Sequence, residues 1–278
     1  MAEGNDLAGV CFHRDMRNFD CLPIVEPFPE ITHSEIPLRT GILRGKLHIL
    51  VGVSKIILTF VKIKTLCMEN KFDRSKHVFS SDAFAEIIKD TIRFFNGTPV
   101  HQLPPPENFI GTGVYALYYT GDFSLYHPLY EANRLEFSQP IYIGKAVPRG
   151  WRQGRSQDST NELYRRLCDH TNSIEQANNL SLQDFYCRFM ILEDAATDMI
   201  GTVEAALIRH YFPLWNSTID GFGNHDPGSG RYEQAVSDWD IMHPGRKWAK
   251  RLNGSGLPIE EIQKKVDNYF NSQIAGKK

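Results

Sequence analysis

The pattern of hydrophobic and polar positions is orderly from about residue 80 onward and mixed before it. Behind Ser80 and Ser81, either of which can cap a helix, Phe84, Ile87, Ile88, Ile92 and Phe95 recur at helical spacing until Asn96-Gly97 ends the run. Pro104, Pro105 and Pro106 form a stiff connector. Gly113 to Tyr119 alternates as a strand, a long aromatic loop runs through Tyr126 and Tyr130, and Ile141 to Lys145 reads as the returning strand. Asn161 to Glu175 predicts a helix, Phe185 to Leu192 a third strand, and Met199 to Tyr211 a second helix stopped by Pro213. The order strand, strand, helix, strand, helix, with a hairpin first, favours a small mixed sheet flanked by helices, and no internal repeat is visible.

Residues 1–67 have a different texture. From Arg39 to Lys64 there are six basic residues (Arg39, Arg44, Lys46, Lys55, Lys62, Lys64) and no acidic one, set among Ile, Leu and Val. The lysines interrupt the apolar run too often for a membrane span, and the run sits too far from the start for a secretory signal. Three readings remain: a basic amphipathic element lying on DNA or a membrane surface, a strand-rich accessory element, or a functional chain that begins at Met68. The expected division is therefore an N-terminal extension, 1–67, and a globular domain, 68–278.

Composition adds bounds. With 278 residues, 41% hydrophobic and 12% aromatic, the chain can bury a good core. A formal net charge of −2 is not that of a generic nucleic-acid binder, so any polyanion site must be a local concentration of charge. Cys11, Cys21, Cys67, Cys168 and Cys187 are odd in number, widely spaced and contain no CxxC pair. That argues against a disulfide framework or a structural zinc and for a reducing, cytoplasmic setting.

Two phrases carry chemistry: GVY at Gly113 to Tyr115 and YIG at Tyr142 to Gly144. Two tyrosines flanked by glycines on neighbouring strands can present two phenol hydroxyls to one spot, because glycine removes the side chain that would block close approach. Arg166 and His170, four apart on the predicted helix, project from one face; an arginine there can fork onto a phosphate and an imidazole beside it can exchange a proton. Without the tyrosine strands upstream they would read as a solvated helix surface. Glu204 shares a helical face with Ile200, Val203 and Leu207, where a carboxylate must be paired, protonated or bound to a cation, unless it edges the stripe and reaches solvent. Magnesium, held by few protein ligands plus waters and a phosphate oxygen, suits it.

Tyr115 is the candidate general base, or the group that relays a water's proton onward, and it needs nearby cations to act near neutral pH. Tyr142 positions the water or phosphate. Tyr118, Tyr119, Tyr126 and Tyr130 read as ordinary aromatics. From Lys145 to Arg166 six basic residues (Lys145, Arg149, Arg152, Arg155, Arg165, Arg166) face two acidic ones, Asp158 and Glu162. Lys145, Arg149, Arg152 and Arg155 fit a loop that follows a DNA groove. The glycine-rich stretch Gly221 to Tyr232 lacks the ending of a nucleotide P-loop and reads as facing nucleic acid or a second subunit, with His225 and Asp226 as turn residues.

With GVYALYYTG, PIYIGKAVPRGWR, TVEAALIRHY and PLWNSTIDGFGNH in view, the chain from about Met68 resembles a GIY-YIG nuclease of the type II restriction-endonuclease branch. The resemblance implies an α/β (α+β) fold: a small three-stranded mixed or antiparallel sheet flanked by helices, with N-terminal and C-terminal helical additions. It implies a catalytic set of Tyr115, Tyr142, Arg166, His170, Glu204 and Asn216, with one Mg2+ per active site on Glu204; the choice of Asn216 rests on the resemblance. It further implies double-strand cleavage at a short, GC-rich palindrome leaving 5′-phosphate and 3′-hydroxyl ends, a homodimer, and a partner DNA methyltransferase. Two rival expectations are a repair or homing-type nuclease on the same core and a non-catalytic DNA-binding protein that kept the fold.

Overall fold

The computed structural model describes residues 55, 57, 58, 72–154 and 160–275. The chain divides into two compact units, Met1–Val78 and Phe79–Lys278. In the first, Arg74–His77 forms a 3-10 turn capped by Asp73, whose carboxylate accepts the Ser75 amide. The three readings of residues 1–67 fall outside the described residues, save for 55, 57 and 58, which are helical and exposed.

The second unit opens with α1 (Asp82–Gly97), capped by Ser81, whose Oγ accepts the Phe84 amide at 3.4 Å. Only the C-terminal part of its apolar face is covered: Phe95 is fully buried, while Phe84 and Ile87 are exposed. Four strands follow in the pattern β1 (Val100–Gln102), β2 (Gly113–Tyr119), β3 (Tyr142–Ala146) and β4 (Phe185–Ile191), paired in the spatial order β1-β4-β2-β3 with every pair antiparallel. The three expected strands are present. The added one, β1, is three residues long and sits at the edge beyond β4, too short to leave a periodic signal.

All seven residues of β2 are buried, so its expected alternation does not separate a wet face from a dry one. Tyr115, Leu117 and Tyr119 enter the larger core; Val114, Ala116 and Tyr118 enter the smaller. The connection from β2 to β3 is not an aromatic loop but holds a helix, α2 (His127–Asn133), with Pro128 in its first turn. Tyr126 and Leu129 are driven into the larger core there.

Strands β3 and β4 both run antiparallel to β2, hence parallel to each other, and their connection must cross β2. That crossover is α3 (Glu162–Gln176), whose Leu163, Leu167, His170 and Ile174 are buried at helical spacing. Helix α4 (Ile200–Tyr211) lies with α1 against the opposite face, burying Ile200, Val203 and Leu207 beside Val114, Ala116 and Ile143. It ends at Phe212, in the left-handed conformation, and Pro213 prevents continuation. Short α5 (Leu214–Ser217) and α6 (Asp238–Met242) and the longer α7 (Ile259–Ala275) close over the α3 face through Trp215, Trp239, Ile262 and Val266. A small antiparallel sheet clad by seven helices, counted among the described residues, is the α/β arrangement expected, with helical additions at both ends.

Candidate active site

The cross-strand register decides which side chains can meet. Tyr115 lies opposite Gly144, and Leu117 opposite Tyr142, so Tyr115 and Tyr142 are diagonal neighbours on one face of the sheet. Their rings stand 6.3 Å apart between centroids. Glycine is required at 144: a Cβ there would lie 2.3 Å from the Tyr115 hydroxyl oxygen. The YIG glycine is thus the floor on which the GVY tyrosine rests.

Because α3 crosses β2 on this face, it sets His170 over Tyr115. Tyr115 Oη is 2.6 Å from His170 Nε2, both side chains essentially buried. Burial, then the charge of Arg166, holds the His170 imidazole well below its ordinary pKa, so it is neutral and can accept a hydrogen bond from the phenol. Burial also holds the Tyr115 phenol well above its usual range, reinforced by Tyr142 and opposed by Arg166, which lies beside both phenols. A free phenolate at Tyr115 and an imidazolium at His170 are both disfavoured, so the pair rests as a neutral phenol hydrogen-bonded to a neutral imidazole.

One turn before His170, Arg166 is held by the glycine-rich loop. Its Nη2 donates to the Gly223 carbonyl at 3.0 Å, and its Nη1 donates to His225 Nε2. His225, read as a turn residue, thus belongs to the site. Asp226 is the turn residue, its carboxylate accepting the Gly228 amide at 2.9 Å. Phe222, from the same loop, stacks on the His170 ring at 4.6 Å and 16° and meets the Tyr142 ring edge-on. Sequence reasoning missed Phe222 altogether; its signal was an aromatic between two glycines.

Glu204 arrives differently. Helix α4 covers the opposite face from Tyr115, and the carboxylate reaches the edge strand, where Lys145 Nζ donates to Oε2 at 2.5 Å. Lys145 alternates with Gly144 along β3 and so points to the α4 side. No hydrogen bond joins Glu204 to the tyrosines among the described residues, yet its charge is near enough to raise both phenols. The site is therefore wrapped around the outer edge of β3 rather than gathered on one face. A cleft of about 200 Å³ at this edge is lined by Lys145, Arg165, Arg166 and Asp169, linking the two sides.

Asn216 does not project into the cleft. Its Oδ1 accepts the Ile143 amide and its Nδ2 donates to the Ile143 carbonyl, both at 2.8 Å, so it grips β3 between Tyr142 and Gly144 as a strand partner would. Of the expected DNA-contacting residues, Lys145 is in the site itself, and exposed Arg149 pairs with Glu162 at 2.7 Å, as does Arg165 at 3.1 Å. Arg152 lies in the turn Trp151–Gln153, and Arg155 falls outside the described residues.

The donor set suits a hard divalent cation of the magnesium kind. Glu204 Oε1 accepts no hydrogen bond from any described residue, and magnesium keeps most of its waters. Among the described residues no cluster of three or more His, Cys, Asp or Glu is placed to form an all-protein cage, and no helix is long and apolar enough to cross a membrane. Residues 107–270, more than half of the chain, match the family model described as the Eco29kI GIY-YIG domain. No curated protein matches the chain.

Proposed function

This chain belongs to the Eco29kI-type GIY-YIG family of restriction endonucleases, and on that footing we propose that it is a type II enzyme hydrolysing both strands of DNA at a short, GC-rich palindrome. The products carry 5′-phosphate and 3′-hydroxyl ends. The observation that supports this most is the buried hydrogen-bonded pair Tyr115–His170 beside Arg166, which lines the edge-strand cleft together with Lys145, the partner of Glu204.

In the proposed reaction a water attacks in line with the scissile bond. Tyr115 accepts the water's proton as it passes its own to His170, and Tyr142 orients the water or the phosphate by donating and accepting at its hydroxyl. Arg166, already turned toward the phenols, forks onto non-bridging phosphoryl oxygens as charge develops there. Glu204 would hold Mg2+, which when bound supplies Lewis-acid stabilisation of the phosphate and leaving oxygen. Lys145, which pairs with Glu204 in this structure, would be free to pair with a phosphate when Glu204 holds a cation. Arg149, Arg152 and Arg155 follow the DNA groove.

A homodimer supplies two such sites to a palindrome, and a methyltransferase of matching specificity protects host DNA. The test is digestion of unmethylated phage DNA in Mg2+ and in EDTA, with sequencing of the ends. Discrete repeated ends in Mg2+ alone, lost in Glu204→Ala while DNA binding is retained, are expected. Dispersed nicks would favour a repair or homing-type enzyme, and binding without cleavage a non-catalytic DNA-binding protein.

A further inference from the structure

The loop that touches Arg166 is gripped from inside by a residue far outside the nuclease motif. Arg246 is 1% exposed, and all five of its side-chain N–H groups have partners. Nε and Nη2 fork onto the Asp240 carboxylate at 2.6 Å each. Nη2 also donates to the Gly221 carbonyl at 2.9 Å, and Nη1 to those of Phe222 at 3.1 Å and Asn224 at 3.3 Å. The guanidinium lies over Trp239 and Trp248, 4.5 and 4.6 Å from their ring centroids.

Three carbonyls of one loop converging on a single cation fix its backbone path, and the carbonyl left over, that of Gly223, is the one Arg166 uses. The fit is close, since a Cβ at Gly223 would lie 2.6 Å from the Tyr142 hydroxyl. A buried ion pair is weak support for stability, because desolvation offsets most of the attraction. The same pair is strong support for a fixed geometry, because a planar fork accepts few arrangements of its partners.

We propose that Arg246, held by Asp240, is a positioning residue of the nuclease site: it fixes the Gly221–His225 loop so that Gly223 and His225 hold the Arg166 guanidinium and Phe222 holds the His170 imidazole. The inference rests on the endonuclease reading of that site. Its consequence is that Arg166 and His170 are oriented before DNA arrives, with no reorganisation left for the reaction step.

The test is Arg246→Lys in the full chain. Lysine keeps the charge for Asp240 but cannot reach the carboxylate and three carbonyls at once. The expected result is a kcat lowered at least about tenfold, with KM for DNA within about twofold, since misplacing reacting groups costs turnover rather than binding. In an Arg166→Lys background the further loss should be smaller, because both changes remove the Arg166 orientation and only the share that acts through Phe222 on His170 remains. Unchanged kcat, or full additivity with Arg166→Lys, overturns the proposal.

A readout independent of cleavage is the NMR titration of the His225 imidazole. Burial and then Arg166 hold its pKa below the ordinary value, with Asp169 opposing and Arg246 adding. Release of the loop in Arg246→Lys should move it back up; an unchanged titration counts against the clamp. If Arg246→Lys does not fold, Phe222→Leu takes its place, keeping apolar volume but removing the ring on His170, and a wild-type kcat there overturns the proposal. Wild-type protein that never cuts DNA while His225 is released in Arg246→Lys would sink the nuclease reading and leave the clamp. Wild-type cutting abolished by Glu204→Ala, beside an Arg246→Lys protein with normal kcat, would do the reverse.

Discussion

Tyr115 and His170 share a hydrogen bond of 2.6 Å in a setting where neither side chain reaches solvent. A histidine in water titrates near 6.5, but burial and Arg166 depress His170 well below that, so its neutral, proton-accepting form persists into more acidic solution. The acidic limb of the cleavage rate should therefore lie below pH ~6.5. Tyr115→Phe should lower kcat by about 10²–10⁴-fold, the usual contribution of a positioned acid–base group, with DNA binding retained. Arg166→Gln removes a charge that depresses His170, so the limb should shift upward as the rate falls. An acidic limb at the ordinary histidine value in wild type would remove the relay.

The close approach at Gly144 gives a second expectation. Gly144→Ala places a methyl group 2.3 Å from the Tyr115 hydroxyl oxygen and 2.5 Å from the carbon that bears it. Tyr115 is buried on every side and cannot swing away without opening the core, so the ring must shift or β3 must move out. Overpacking of this kind costs about 1–3 kcal/mol, and it misplaces the phenol as well. The predicted outcome is a folded, less stable protein whose kcat falls by about 10² or more, since small displacements at the reacting centre are this costly. Retained activity with only lowered stability would show that Tyr115 needs no fixed seat.

Much of this was legible in the residues and some was not. The spans of α1, α3, α4, β2, β3 and β4 follow from hydrophobic period and caps, each end falling within one or two residues of its expected place. That β2 and β3 pair was legible, but the register that makes Tyr115 and Tyr142 diagonal neighbours was not, because a long, helix-containing connection leaves it open. Helix α2 was hidden because its buried residues Leu129 and Asn133 are too few to show a period. The face on which α4 packs, and hence the wrapping of the site around the β3 edge, depends on the sheet order, which strand patterns do not encode. His225 and Phe222 are placed by long-range contacts with α3; His225 has no local signal, and the glycines flanking Phe222 mark a close approach without saying to what.

The Lys145–Glu204 pair leads to a measurable demand for metal. Lys145 is 37% and Glu204 18% exposed in their side chains, so the 2.5 Å contact is partly screened and worth about 0.2–1 kcal/mol. A cation entering at Glu204 must displace or share with this ammonium. Lys145→Met should lower the Mg2+ concentration for half-maximal cleavage by about 1.4- to fivefold, the equivalent of that energy. If Lys145 also pairs with a phosphate, kcat falls in the same variant while the metal requirement still drops. Titration of cleavage with Mg2+ at fixed ionic strength decides; an increased requirement would mean that Lys145 helps to hold the metal site together.

A second buried tyrosine–histidine pair, which does not line the cleft, should govern stability rather than turnover. His243 Nδ1–H donates to Asn179 Oδ1 at 2.9 Å, leaving Nε2 to accept the Tyr126 hydroxyl at 2.6 Å, while Trp215 Nε1–H donates to Tyr126 at 3.1 Å. Burial pushes the His243 pKa down to about 3. Its folded value lies below the unfolded one, so the unfolded chain binds the extra proton first: the stabilisation is complete above pH ~6.5 and is lost as pH falls toward the folded value. The slope is about 1.4 kcal/mol per pH unit, or about 2 kcal/mol between pH 6.5 and 5. His243→Gln keeps polar atoms near Tyr126 and Asn179 but cannot titrate. Urea unfolding of both proteins should show the variant less stable at pH 7.5 by about 1–3 kcal/mol, yet losing about 2 kcal/mol less than wild type on going to pH 5, because only the wild type carries this protonation. Equal losses in the two proteins would place the proton uptake elsewhere, at His170 or His225, and return His243 to an ordinary core side chain.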